Sequence, residues 1–343
     1  MKNVFLEFSE KMFHYNNLFS TKNVYFDLKF SIISYSNVSI AIFSYFCNCI
    51  NITQSLLIFF KIMRTNSLQL NLNSRLVDLS TPVVMGIVNV TPDSFFEGNR
   101  FMSHKAILKG VETMIRDGAG IIDIGGYSTR PNAEMISQDE EIRRLSEGLE
   151  VILKSFPDVV ISVDTFRSGV ARHVVKNYGV AMINDVSGGT LDDLMFETIA
   201  ELRVAYVLMH MRGTPKTMQN NLIYEDVVSE VLHSLEKRLA QLHLFGVNDV
   251  VVDPGFGFAK TIEQNYKLLN KLPYFKELNV PLLAGLSRKS MLTKVLGIDA
   301  TEALNATTAA NMLALVGGAS ILRVHDVKEA MQTVNIYKKY LEE

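Results

Sequence analysis

The sequence predicts an α/β fold, a single (β/α)8 TIM barrel preceded by an N-terminal extension outside the core. Three observations carry the prediction. Short apolar runs, many of them β-branched, recur eight times between Val83 and Val324. Segments with helical spacing separate them, so strand and helix alternate along the chain. Each run also delivers polar or charged residues at its end, as barrel strands do where they open on the C-terminal mouth. The chain has 343 residues, and such a barrel takes about 250. A doubly wound open sheet is the alternative, but no G-x-G-x-x-G opens a helix after the first run.

The first 62 residues stand apart from this pattern. Residues 1–62 contain no Gly, Pro or Arg and are dominated by Asn, Ile, Phe, Ser, Tyr and Lys. A folded domain without turn residues is unusual, so they read as an extension, disordered or translated from an upstream start, with residues 63–343 as the working domain. The uncharged stretch from Ser31 to Phe60 raises a weak membrane anchor as the competing reading. It is interrupted throughout by Ser, Asn, Thr and Gln, and no membrane association is expected for the barrel. Formal charge is -2 with a pI near 6.4, which leaves no general electrostatic reason to expect nucleic acid. Cys47 and Cys49, the two cysteines, form neither a disulfide framework nor a zinc site, and a cytoplasmic location is expected.

Taken in order, the first run, Val83 to Val88, ends at Asn89 and is followed by a loop in which Pro92 and Gly98 bracket Asp93, Phe95 and Glu97. The second, Ile121 to Ile124, carries Asp123. Ser137 and Glu140 then have capping-box spacing ahead of Ile142, Leu145, Leu149 and Ile152, with Pro157 after the helix end. Val159 to Val163 delivers Asp164, Ala181 to Ile183 delivers Asn184 and Asp185, and Ala205 to Met209 delivers His210. Val228, Leu232, Leu235, Leu239 and Leu242 form one apolar helix stripe that stops at Gly246. Val250 to Val252 leads to Asp253 and a second box, Thr261 with Gln264. Pro281 to Ala284 leads to Ser287, Arg288, Lys289 and a helix opening at Ser290. Ile321 to Val324 carries Arg323 and leads to His325, with Asp326 and Glu329 as a third box.

In a barrel these strand-end residues face one mouth, and their chemistry has two halves. Asp164, Asn184 and Asp253 are short acceptors and amides suited to a flat heterocycle rich in N–H groups and ring nitrogens. Lys289, Arg323, His325 and Arg130 suit phosphate or carboxylate, and the helix start at Ser290 adds backbone N–H groups. Asn89, with Asp93 or Glu97, offers oxygen ligands for magnesium against a pyrophosphate. No His and Cys cluster for a transition metal is visible, and no nucleophile elbow.

Eight motifs run in register from Met85 to Val327: MGIVNVTPDSF, GAGIIDIGGYSTRP, ISVDTFRSGVA, INDVSGG, LMHMRGTP, VVDPGFGFAKT, LLAGLSRKSML and ILRVHDV. With these, the chain from about Thr81 onward resembles dihydropteroate synthase, an enzyme of folate biosynthesis. The resemblance implies a (β/α)8 pterin-binding domain that condenses 6-hydroxymethyl-7,8-dihydropterin pyrophosphate with 4-aminobenzoate. It implies a pterin pocket of Asp164, Asn184, Asp253 and Lys289 packed by Phe258 and Arg323, with Asp123 as a further carboxylate of the same pocket. Pyrophosphate and magnesium match Asn89, Thr129, Arg130, Arg323 and His325; aminobenzoate matches Phe95, Pro131, Lys289 and Ser290. Catalysis falls to Asp253, Lys289, Arg323, His325 and Arg130, with Mg2+ as cofactor and a homodimer as assembly. A pterin-dependent methyltransferase and a pterin binder without catalysis are the other readings. The chain departs from the family pattern at Phe96, Glu97 and Asn99 in the first loop, and at Tyr127 and Asn132, where Glu and Gly are usual, in the second.

Overall fold

A computed structural model of the chain describes residues 68–90, 100–127, 136–214, 217–218 and 222–342, the side chains of 100–103 excepted. The extension 1–62 lies outside the described residues. So do Asp93, Phe95, Phe96, Glu97 and Asn99 of the first loop, and Thr129, Arg130, Pro131 and Asn132 of the second.

Ten strands are described. β1 (Gln69–Leu72) and β2 (Arg75–Asp78) form an antiparallel hairpin. The other eight are parallel: β3 (Val83–Asn89), β4 (Ile121–Gly125), β5 (Ile161–Asp164), β6 (Met182–Asp185), β7 (Ala205–Met209), β8 (Val250–Asp253), β9 (Leu283–Ala284) and β10 (Ile321–Val324). They hydrogen-bond in the order β8-β7-β6-β5-β4-β3-β10-β9. The ring closes where Val252 bridges Leu282 and the Val252 N–H donates to Pro281 O at 2.9 Å. The barrel expected from the alternating pattern is therefore the barrel observed, with each strand within a few residues of its apolar run.

Nine α-helices are described: α1 (Arg100–Arg116), α2 (Gln138–Ser155), α3 (Ser168–Tyr178), α4 (Met195–Leu202), α5 (Val227–Leu244), α6 (Ile262–Asn270), α7 (Ser290–Leu296), α8 (Leu304–Val316) and α9 (Val327–Leu341). Two of them, α7 and α8, occupy the connection between β9 and β10. Among these helices no segment is long and apolar enough to cross a membrane. The capping boxes divide three ways. Thr261 and Gln264 form the reciprocal pair at α6. Ser137 accepts from the Glu140 N–H at 3.2 Å, but the Glu140 carboxylate is taken by Arg143 and Arg144. Asp326 heads α9 without a side-chain cap, because Arg288 holds its carboxylate through two bonds of 2.9 and 2.8 Å.

Strand alternation sorts the side chains into two cores. Val84, Val88, Ile122, Ile124, Val163, Ile183, Leu208, Val252 and Val324 point outward and pack under the helices. Met85, Ile121, Met182, Ala205, Val207, Val251, Leu283 and Ile321 fill the inside. Leu70, Leu72 and Leu79 of the hairpin region join this inner cluster, all 4% exposed or less. They close the N-terminal end of the barrel, each side chain contributing about 2 kcal/mol of burial. The hairpin turns through Asn73 and Ser74 at φ 51° and 63°, the two left-handed residues of a type I′ turn. The inward positions one layer nearer the C-terminal end are polar, and there the site is built.

Candidate active site

Four strands place carboxylates and amides at the same height. Register pairs Asp164 with Asn184 across β5 and β6, Gly125 with Asp164 across β4 and β5, and Met209 with Asp253 across β7 and β8. Asp123, one step below Gly125, is fully buried; Asp164, Asn184 and Asp253 are nearly so. Arg323 enters from β10 and ties two of them together. Its Nε donates to Asp123 Oδ2 at 2.6 Å and its Nη2 to Asp164 Oδ2 at 3.0 Å. The Asn184 amide donates to the same Asp123 oxygen at 3.0 Å. Asp123 Oδ1 is buried with no hydrogen-bond partner among the described residues, an acceptor suited to an N–H donor.

The cationic wall comes from the far side of the barrel. Lys289 is the N-cap residue of α7. Its Nζ donates to the Phe256 carbonyl and stands 5.0 Å from the centre of the Phe258 ring. The preceding residue, Arg288, adopts φ 55° and is held there by Asp326 and by the Ala300 and Thr301 carbonyls. That left-handed turn, unfavourable by about 1–2 kcal/mol for a non-glycine residue, aims Lys289 back across the mouth. Exposed His325 follows β10, and its Nδ1 is 2.9 Å from Ser287 Oγ. Ser290 opens α7 and is exposed; Asn89 ends β3 and is exposed, its Oδ1 facing the glycine at 125.

Burial sets the protonation of these groups. It lifts Asp164 to about 7 despite the pull of Arg323, with the charges of Asp123, Glu141 and Asp185 adding to the rise. It also raises Asp253, against the opposing effect of Lys289. Burial lowers Lys289 to about 8, Arg323 pushing the same way and Asp253 resisting.

Two strand-end residues expected at the mouth are elsewhere. Asp185 points to the outer face, where its carboxylate accepts from the Ser187 N–H and Oγ at 2.7 Å, the Gly189 N–H at 2.8 Å and Tyr206 Oη at 2.7 Å. His210 likewise alternates outward and meets Lys260 Nζ at 3.1 Å. Both anchor loops. A period of two sends adjacent residues to opposite faces, so Asn184 and Asp185 cannot both line the barrel.

The second loop is held at both described ends. Tyr127 packs edge-on against Phe166 at 5.6 Å, and the Arg167 guanidinium lies over the Tyr127 ring at 5.7 Å. Arg167 also donates to the Ile136 carbonyl at 2.7 Å and pairs with buried Glu141. Sequence reasoning did not single out Arg167 or Lys260; each acts through backbone carbonyls or a distant side chain, which leave no local pattern.

Among the described residues no group of three or more His, Cys, Asp or Glu side chains is arranged to hold a metal. A single amide oxygen at Asn89 fits magnesium only where substrate phosphates and water complete the shell, the usual situation for that ion.

Comparison with known proteins bears on the same residues. The pterin-binding enzyme family matches residues 85–325. The dihydropteroate synthase of Haemophilus influenzae is 40% identical over 273 residues, spanning 79% of this chain and 98% of that protein. That of Escherichia coli strain K12 is 42% identical over 267 residues, spanning 77% and 94%. Among solved structures, the Yersinia pestis dihydropteroate synthase in a sulfonamide drug complex superposes with a TM-score of 0.75 at 35% identity, covering 80% of this chain and 100% of that one. The Xanthomonas albilineans dihydropteroate synthase with 4-aminobenzoic acid gives 0.74 at 37% identity, covering 81% and 100%.

Proposed function

The chain belongs to the dihydropteroate synthase family of pterin-binding enzymes, and from that membership we infer how its barrel mouth carries out the reaction. The enzyme condenses 6-hydroxymethyl-7,8-dihydropterin pyrophosphate with 4-aminobenzoate, giving 7,8-dihydropteroate and pyrophosphate. The family membership favours this transfer over a pterin-dependent methyl transfer. The observation that carries the site reading is the convergence of Asp123, Asp164, Asn184 and Asp253 on one layer of the barrel, closed by Arg323 and Lys289.

In this reading the pterin lies flat above that layer. Its amino and ring N–H groups donate to Asp164, Asp253 and the unpaired oxygen of Asp123, and Phe258 packs one face. The pyrophosphate points toward Asn89, His325 and, from the second loop, Thr129 and Arg130. Asn89, together with the phosphate oxygens, would hold magnesium, which would supply charge neutralisation to the leaving group. The C–O bond to pyrophosphate breaks, and Asp164 and Asp253 stabilise the positive charge developing on the pterin methylene. The aniline nitrogen forms the new C–N bond and releases a proton. Ser290 and Lys289 hold the aminobenzoate carboxylate, with Phe95 and Pro131 covering it, so that nitrogen and methylene meet without a covalent enzyme intermediate. Sulfonamides, as aminobenzoate mimics, compete at that side; the sulfonamide complex of the Yersinia pestis relative supports this.

Two further features belong to the proposal. A homodimer is supported by exposed Leu313 and Val316 on α8 and Ile336 and Tyr340 on α9. A cytoplasmic location accords with the two closely spaced cysteines. The deciding assay incubates purified protein with magnesium, pterin pyrophosphate and 4-aminobenzoate and measures dihydropteroate. Asp253→Ala and Arg323→Ala are expected to reduce turnover at least a hundredfold; normal turnover in either overturns the site assignment.

A further inference from the structure

We infer that Lys260 is a positioning residue for the pterin side of the site, its ammonium tying the β8–α6 loop to the end of β7 in the shape that supports Lys289. The inference rests on the reading of Asp253 and Lys289 as pterin-pocket residues. Lys260 is 4% exposed, and its hydrogen-bond partners are neutral. Nζ donates to Gly255 O at 2.9 Å and Phe258 O at 3.0 Å, both in the loop, and reaches His210 O at 3.5 Å and His210 Nδ1 at 3.1 Å at the end of β7. A buried ammonium is costly, and burial lowers Lys260 to about 7 with Asp253 opposing the fall; the charged form is held where fixed dipoles replace its hydration shell. Here those dipoles are the loop's own carbonyls, so the loop conformation and the buried charge require each other.

The backbone at both corners of the loop shows the same dependence. Gly255 adopts φ +72°, and a Cβ there would lie 2.0 Å from His210 O, so the two backbones are in direct contact. Ala259 adopts φ 50°, a conformation disfavoured for alanine, with its carbonyl taken by Tyr224 Oη at 3.0 Å. Between those corners stand Phe256, whose carbonyl accepts from Lys289, and Phe258, whose ring lies beneath the same ammonium. The tie thus fixes both surfaces on which Lys289 rests without itself touching a substrate. His210, driven down to about 2 by burial and by the charges of Lys260 and Arg212, stays neutral and presents Nδ1 as an acceptor.

The test uses the full-length chain and the near-isosteric, uncharged Lys260→Met. Calorimetric titration with pterin pyrophosphate and magnesium is expected to show Kd raised tenfold or more at full stoichiometry. A merely structural role would lower the fraction of competent protein, and so the stoichiometry, and leave Kd unchanged; that result overturns the inference. Tyr224→Phe, which frees only the Ala259 carbonyl, is expected to raise the same Kd twofold to fivefold. It decides the matter if Lys260→Met fails to fold, an unchanged Kd then counting against the tie. Lys289→Ala separates the two levels of the argument: if it leaves pterin affinity unaltered, the pocket reading falls and the tie with it.

Discussion

Replacing Arg323 by Met isolates the charge that holds the pocket floor together. The guanidinium bonds to Asp123 and Asp164, whose side chains are 0% and 11% exposed, while its own is 22% exposed. Removing one partner of a buried pair costs about 3–5 kcal/mol, because the remaining carboxylates keep their desolvation penalty without their counter-charge. The pH dependence follows from Asp164, which is raised to about 7 by burial although Arg323 opposes the rise. An acid raised in the folded state contributes stability below its unfolded value, and that contribution is lost as pH rises through the folded value. Without Arg323 the folded value climbs further, by about 1–3 units for a lost adjacent opposite charge. The extra loss therefore appears only above pH 7 or so. At about 1.4 kcal/mol per unit, and with only the two units between pH 7 and pH 9 available, the deficit of the variant should be about 1.3–2.6 kcal/mol larger at pH 9 than at pH 6. Urea unfolding of wild type and variant at both pH values, with a common slope, measures this directly. A deficit that does not change with pH, or one below about 1 kcal/mol at pH 9, would refute the account of Arg323 as the counter-charge of the floor.

Tyr206→Phe should separate loop anchoring from catalysis. It removes one of the donors to Asp185 on the outer face, and is expected to lower stability by about 1–2 kcal/mol with both KM values unchanged in steady-state assays. Affinity for pterin pyrophosphate should weaken as pH rises through about 8, where half-buried Lys289 gives up its proton; titration at pH 7 and pH 9 follows this, and Lys289→Met should abolish the difference.

The sequence by itself determined the barrel and most of what stands in its mouth. Eight apolar runs with helices between them have one common closed solution, and the polar residue ending a run is the one delivered to the C-terminal rim. Asp164, Asn184, Asp253, Lys289 and Arg323 were legible for that reason, and the motifs around them named the family. The hairpin that closes the N-terminal end was less legible, since each of its strands is four residues long and its buried face is completed by side chains far along the chain. What only the tertiary structure decided is which way each polar side chain turns and what it meets. Asp185 and His210 stand at strand ends like their neighbours, yet the two-residue period turns them outward to loops. Arg323 joins Asp123 across 200 positions of sequence, and Lys260 acts through carbonyls that any residue could supply. Local pattern encodes periodicity and chemistry; pairing at a distance depends on closure of the ring, which brings those residues to one end of the barrel.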